Sequence, residues 1–114
     1  MDRRALGIEG EDLAAEFLAR HGLEIIERNY RCRLGEIDVV ARDGATLVFV
    51  EVRLRSSARY GGAGASISFR KQRRLVAAAG LYLSRLRRTP DCRFDAVLLD
   101  GAGRIEWLRD VISA

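Results

Sequence analysis

Residues 35–53 read GEIDVVARDGATLVFVEVR, two runs of strand-forming residues around an Asp43-Gly44 turn signal. In a strand every second side chain points the same way, so Glu36 and Asp38 share a face, as do Glu51 and Arg53. If Asp43-Gly44 is a two-residue loop, Glu36 falls opposite Glu51. A four-residue loop sets Asp38 opposite Glu51 instead. Either even loop leaves all four polar side chains on one face, and a three-residue loop would separate the pairs. Carboxylates crowded on a sheet face repel and are costly to desolvate, and hard oxygen donors of this kind suit Mg²⁺ or Mn²⁺. The competing reading is a solvated cross-strand ladder of salt bridges. Against it, Leu47 and Phe49 share the face of Glu51 while Val48, Val50 and Val52 fill the other. A strand apolar on both faces belongs inside a sheet, where embedded acids need a reason.

At 114 residues the chain has the length of one domain, expected to span 1–114. An apolar content of 48% with 32% charged residues is that of an ordinary globular protein and excludes a disordered one. Met-Asp-Arg-Arg is followed by no apolar run of signal-peptide type, and residues 75–83 fall far short of the ~20 needed to span a bilayer. A cytoplasmic location with no membrane partner is expected. Cys32 and Cys92 lack metal-ligand or redox spacing and read as buried free thiols. The net charge of +4 is compatible with a polyanionic partner. Among twenty basic residues Lys71 is the only lysine.

Outward from the hairpin, residues 5–20 read as a helix with Leu13, Ala14, Phe17 and Leu18 as its apolar stripe and Gly22 as its stop. Residues 23–33 read as a first strand and 55–65 as a loop. A second helix is expected over 66–87, ahead of Pro90, with Leu75, Ala78, Ala79, Tyr82 and Leu86 buried. Residues 92–100 and 104–109 are the last strands. The order α-β-β-β-α-β-β predicts a three-layer α/β fold on a mixed central sheet. At about 100° per residue, Glu9, Asp12 and Glu16 point away from the first stripe, and Glu11 alone of these acids borders it and can reach the sheet. Lys71 lies one turn before Leu75 on the second stripe, where it either snorkels outward or meets an acidic site beneath.

An acid followed across adjacent strands by acid-x-basic resembles the PD-(D/E)xK nuclease motif, and the element order resembles that restriction-endonuclease-like superfamily. At closer range Gly10-Glu11, Gly35-Glu36-Ile37-Asp38, Phe49-Val50-Glu51-Val52-Arg53, Lys71-Gln72 and Arg93-Phe94-Asp95 resemble the YraN-type family of bacterial predicted endonucleases, related to Holliday-junction resolvases. The resemblance runs over nearly the whole chain. It implies that Asp38 and Glu51 ligate the metal with the Val52 carbonyl as a third ligand, and that Glu11 is the helix acid that organises it. Glu36 and Gln72 are additional candidates. Asp95 is expected to form a structural salt bridge. Arg53 stands where the superfamily usually has Lys. An arginine stays protonated and cannot act as a base, although it can stabilise charge on a phosphate. Lys71 is then the candidate to supply the missing ammonium.

These readings together predict a Mg²⁺- or Mn²⁺-dependent DNA endonuclease with Asp38, Glu51, Arg53 and Lys71 as catalytic residues. Arg55, Arg59 and Tyr60 in the loop, with Arg70, Arg73 and Arg74 on the second helix, are expected to contact DNA, Tyr60 by stacking on an unpaired base. Kinship with resolvases implies branched or single-stranded DNA and a symmetric homodimer. The alternative is a nucleic-acid-binding module that keeps the fold without hydrolysis. A serine or cysteine hydrolase is not supported, since the only histidine, His21, reads as a helix-capping residue.

Overall fold

The structure, a computed structural model, describes residues 3–112 other than 56–67, and side chains from Gly10 onward except that of Arg55. Its elements follow in the order expected. They are α1 (Arg3–Arg20), β1 (Glu24–Cys32), β2 (Gly35–Asp43), β3 (Thr46–Arg55), α2 (Phe69–Leu83), β4 (Cys92–Asp100) and β5 (Ile105–Leu108). The strands form one sheet in the order β1-β2-β3-β4-β5. β3 and β4 are parallel and the other neighbours antiparallel, so the sheet is mixed and α2 is the crossover between its parallel pair. No helix among the described residues is long and apolar enough to cross a membrane.

Alternation along the central strands builds the three layers. Val48 and Val50 of β3, with Val39 and Ala41 of β2, pack against Ala14 and Leu18 of α1. Leu47 and Phe49 face the other way, into a core with Leu75, Ala78, Ala79 and Tyr82 of α2. Tyr82 stands edge-on to Phe49 and Tyr30, with ring centroids 5.8 and 5.3 Å apart. Each fully buried side chain of this size contributes about 1.5–3 kcal/mol through removal from water. α1 stops where the sequence marks it. Gly22 takes φ +96°, Gly22 and Leu23 donate backbone bonds to Ala19 and Leu18, and the His21 ring lies 2.7 Å from the Phe17 carbonyl oxygen.

Several expectations need correction. The β2–β3 turn is Gly44-Ala45, flanked by the pair Asp43↔Thr46; Gly44 has φ +61°, at the first central position, where a primed turn needs glycine. The register Val39↔Val50 carried one step further brings Asp38 level with Glu51, the outcome the four-residue loop describes. α2 spans Phe69–Leu83 and not 66–87; Ser68 caps it, accepting from the Lys71 N–H, and positions 66 and 67 lie outside the described residues. At its far end the Ser84 hydroxyl donates to the Leu81 carbonyl, and Arg85 turns back over the rings of Tyr30 and Tyr82. Leu86 is therefore exposed rather than buried. Leu13 is also exposed, while Ala14 and Leu18 carry the contact of α1 with the core and Phe17 packs beside them. Cys92 is exposed and Cys32 half-buried, both free, so neither matches the buried thiol expected.

The opposite end of the sheet is fastened by Asp95, which is fully buried. It accepts from Arg93 Nε at 3.0 Å, Trp107 Nε1 at 2.9 Å and the backbone N–H of Asp110 at 2.9 Å. Arg93 also donates to Asp43 on β2 at 3.0 Å. The structural salt bridge expected for Asp95 is present.

Candidate functional site

Strict alternation along β2 fails at one step, and that step sets the site. Arg28 and Val39 pair with their side chains toward α1, whereas the next pair, Tyr30 and Ile37, lies in the α2 core. Between them Asn29 takes φ +54°, a left-handed conformation that asparagine tolerates. Asp38, level with Asn29, is left out of both ladders. Its Oδ2 accepts the backbone N–H of Val52 at 2.8 Å, just past the end of the β2–β3 pairing. In a strand the N–H and C=O of one residue point the same way, so the Val52 carbonyl is also turned toward Asp38.

Glu51 faces α2, as the alternation of β3 requires. Its side chain is 12% exposed and lies 3.7 Å from the Lys71 ammonium. Lys71 thus reaches the acidic site from the neighbouring helix. Burial pushes the Glu51 carboxyl above the usual range, while Lys71 and Arg53 pull it back. Asp38 is pushed further, to about 7, chiefly by burial and then by the charge of Glu51; the Val52 hydrogen bond opposes the rise. Glu11 reaches the same neighbourhood from α1. Burial also raises its carboxyl against the pull of Arg28, and its buried Oε1 has no hydrogen-bond partner. Glu36 is exposed, pairs with Arg31 at 3.5 Å, and lines a cavity of about 40 Å³ with Glu51, Lys71, Arg74 and Leu75.

Asp38, Glu51, Arg53 and Lys71 are therefore gathered at the C-terminal half of β3, with Glu11 and Glu36 close enough to raise the carboxyls of their neighbours. Gln72 follows Lys71 half-buried on α2 and does not line the cavity. Arg70, Arg73 and Arg74 lie exposed along the first turns of α2. Arg59, Tyr60 and the side chain of Arg55 lie outside the described residues. Glu11 was not the only α1 acid to reach the sheet: Asp12 bonds Arg28 at 2.7 Å, because the long arginine extends from edge strand β1 to meet it.

Among the described residues no three acids, histidines or cysteines converge into a ready-made metal cage. The oxygen donors nevertheless suit a small hard cation. Mg²⁺ keeps several of its waters and takes only one or two carboxylates, so Asp38 and Glu51, with the Val52 carbonyl, are the residues that could hold one. Two carboxylates held against their own ionisation, beside an unpartnered buried Glu11 oxygen, are a site in want of positive charge. Sequence reasoning missed Arg28 and Arg31, which temper Glu11. It also missed Phe69 and Leu34, both exposed beside the arginines of α2. Phe69, an aromatic directly after the capping serine, was the legible signal.

Residues 10–99 match the model of "Uncharacterised protein family UPF0102". A UPF0102 protein of Nitrosospira multiformis is 56% identical over 112 residues, covering 96% of this chain and 94% of that protein. One from Methylobacillus flagellatus is 51% identical over 113 residues, covering 97% and 99%. Another from Dechloromonas aromatica is 54% identical over 110 residues, covering 96% and 90%.

Proposed function

The chain belongs to the YraN-type family UPF0102, and from that premise we propose that it is a divalent-cation-dependent DNA endonuclease acting at Asp38 and Glu51. The observation that carries this reading is the carboxylate pair itself. Burial raises both carboxyls, the charge of Glu51 raises Asp38 further and that of Glu36 raises Glu51, with a lysine and an arginine at the pair's border. A pair so placed is unfavourable for the isolated protein and favourable once a cation arrives, which is a mark of a functional site. The resemblance to PD-(D/E)xK nucleases supports the same assignment.

Asp38, Glu51 and the Val52 carbonyl would hold Mg²⁺ or Mn²⁺, with Glu11 orienting the set from α1. When bound, the cation supplies Lewis acidity and positive charge beside the scissile phosphate. Arg53, permanently protonated, counters the charge that builds on the phosphate oxygens. Lys71, whose ammonium is half-exposed at the mouth of the cavity, steadies the phosphate and directs the attacking water. Water oxygen bonds to phosphorus as the bond to the departing sugar oxygen breaks. The departing sugar oxygen takes up a proton from solvent to become a free hydroxyl, the attacking water gives up its protons to solvent, and the products are that hydroxyl and a phosphate monoester. Arg70, Arg73 and Arg74 bind neighbouring phosphates and set the register of the strand. A DNA substrate places the protein in the cytoplasm, and a four-way junction would call for two copies related by symmetry.

The test is cleavage of end-labelled four-way-junction, flap, single-stranded and duplex DNA with Mg²⁺ or Mn²⁺. Scission is expected with either ion, and none with a chelator or in Glu51→Gln. If the protein cuts nothing while binding DNA in a salt-sensitive way that Glu51→Gln leaves unchanged, the non-catalytic binding module replaces the nuclease.

A further inference from the structure

Beside the acid pair lies a second feature that the hydrolytic chemistry does not use. Leu34 in the β1–β2 turn and Phe69 and Ala77 of α2 form the apolar surface of an open groove of about 330 Å³, and Arg70, Arg73 and Arg74 rim it. Phe69 is 74% exposed, unusual for a side chain that gains so much from burial. The guanidinium of Arg73 lies 5.9 Å from its ring centre. Among the described residues no acid lines the groove, and the first turn of α2 contains none. A helix beginning that carries two basic residues and no acid favours an anion.

Apolar walls with an all-arginine rim specify a ligand that is flat and apolar in one part and anionic in another. We propose that the groove receives an unpaired nucleobase, stacked on Phe69, with its flanking phosphates held by Arg70, Arg73 and Arg74. The substrate class is thereby DNA with at least one unpaired nucleotide next to the bond cut, an inference that rests on the nuclease reading above. Two observations support it beyond the aromatic ring. Arg74 lines both this groove and the small cavity of Glu36, Glu51 and Lys71, so a strand seated in one continues into the other. The groove is also prebuilt, because the α-carbon of Gly35 abuts the Arg74 backbone so closely that an added Cβ would lie 2.6 Å from its carbonyl oxygen. That contact fixes the turn carrying Leu34 against the start of α2. A paired base cannot stack in this way, since its faces are already covered within the duplex.

The experiment compares fluorescence anisotropy of a labelled oligo(dT) strand with that of an abasic strand of equal length, in the presence of chelator. The two strands carry the same phosphates, so any preference reports the bases. Wild-type protein is expected to bind oligo(dT) roughly tenfold more tightly than the abasic strand, the size of one stacking contact. Phe69→Ala should erase that preference while leaving affinity for the abasic strand unchanged, and Phe69→Tyr should keep it. Equal binding of both strands by wild type, or a preference that survives in Phe69→Ala, overturns the proposal. Glu51→Gln should retain the preference. The two readings therefore fail separately: base preference without cleavage removes the nuclease and leaves the groove, and cleavage without base preference removes the groove alone.

Discussion

Asp95→Ala is expected to lower unfolding stability by about 3–5 kcal/mol, the cost of removing one partner from a buried charged pair. The carboxylate is fully buried on β4 and gathers Arg93, Trp107 and the backbone of Asp110. Its removal leaves the Nε1–H of half-buried Trp107 and the backbone N–H of Asp110 without the carboxylate they bond. Arg93 keeps its second partner, Asp43, which limits the loss on that side. Beyond Asp95 the register of β5 and the turn after it lose their anchor, since Asp110 sits at φ +55° and is held by this bond. The urea midpoint should fall accordingly, with Asp95→Asn intermediate because one of its two oxygens is replaced by a donor facing donors. A loss below about 1 kcal/mol in Asp95→Ala would show that the hub is dispensable.

Asp38→Asn should act in opposite directions on function and stability. Cleavage should fall by at least about 100-fold, the scale on which removing one charge-handling group from an active site acts. Stability at pH 8 should rise by a few kcal/mol in the metal-free protein. The sign follows from the direction of the shift. Asp38 has its folded pKa raised from 3.8 to about 7, so the folded state holds a proton that the unfolded state releases. Stability therefore declines as pH rises from about 4 to about 7, and the full penalty persists above. Asparagine carries no charge to desolvate and none to oppose Glu51, so it escapes the penalty. The gain should shrink to less than about 1 kcal/mol near pH 4, where folded Asp38 is protonated and its unfolded counterpart about half so. Thermal unfolding of the two proteins at pH 4 and pH 8 measures it. A variant destabilised equally at both would mean that the Val52 hydrogen bond, and not the buried charge, dominates at this position.

Much of this architecture was legible in the chain because its signals are local and periodic. The two-faced apolar run of β3 announced a central strand, and β3 lies in the middle of the sheet. The stripe through Leu75, Ala78, Ala79 and Tyr82 announced the buried face of α2 and put Lys71 above Glu51. What stayed hidden depends on the backbone leaving its regular course. The exchange of faces at Asn29 and Asp38 breaks the period-two rule where these two residues drop out of the ladder, and only tertiary packing decides where such a switch falls. Arg28 meeting Asp12, and Leu34 and Phe69 lining one groove, bring together residues far apart in sequence. Hydropathy alone misplaced Leu13 and Leu86, since an apolar residue is free to remain exposed where no neighbour closes over it.

The claim that Asp38 and Glu51 form a cation site is tested most directly by calorimetric titration with Mn²⁺ at pH 6.5 and pH 8.5, in buffers of different ionisation enthalpy. A carboxyl that titrates near 7 must give up its proton when its oxygens take a metal. Saturable binding is predicted at both pH values, with proton release at pH 6.5, little at pH 8.5, and binding lost in Asp38→Asn and Glu51→Gln. Binding that these variants leave unchanged, or no saturable binding with or without an oligonucleotide present, would contradict it.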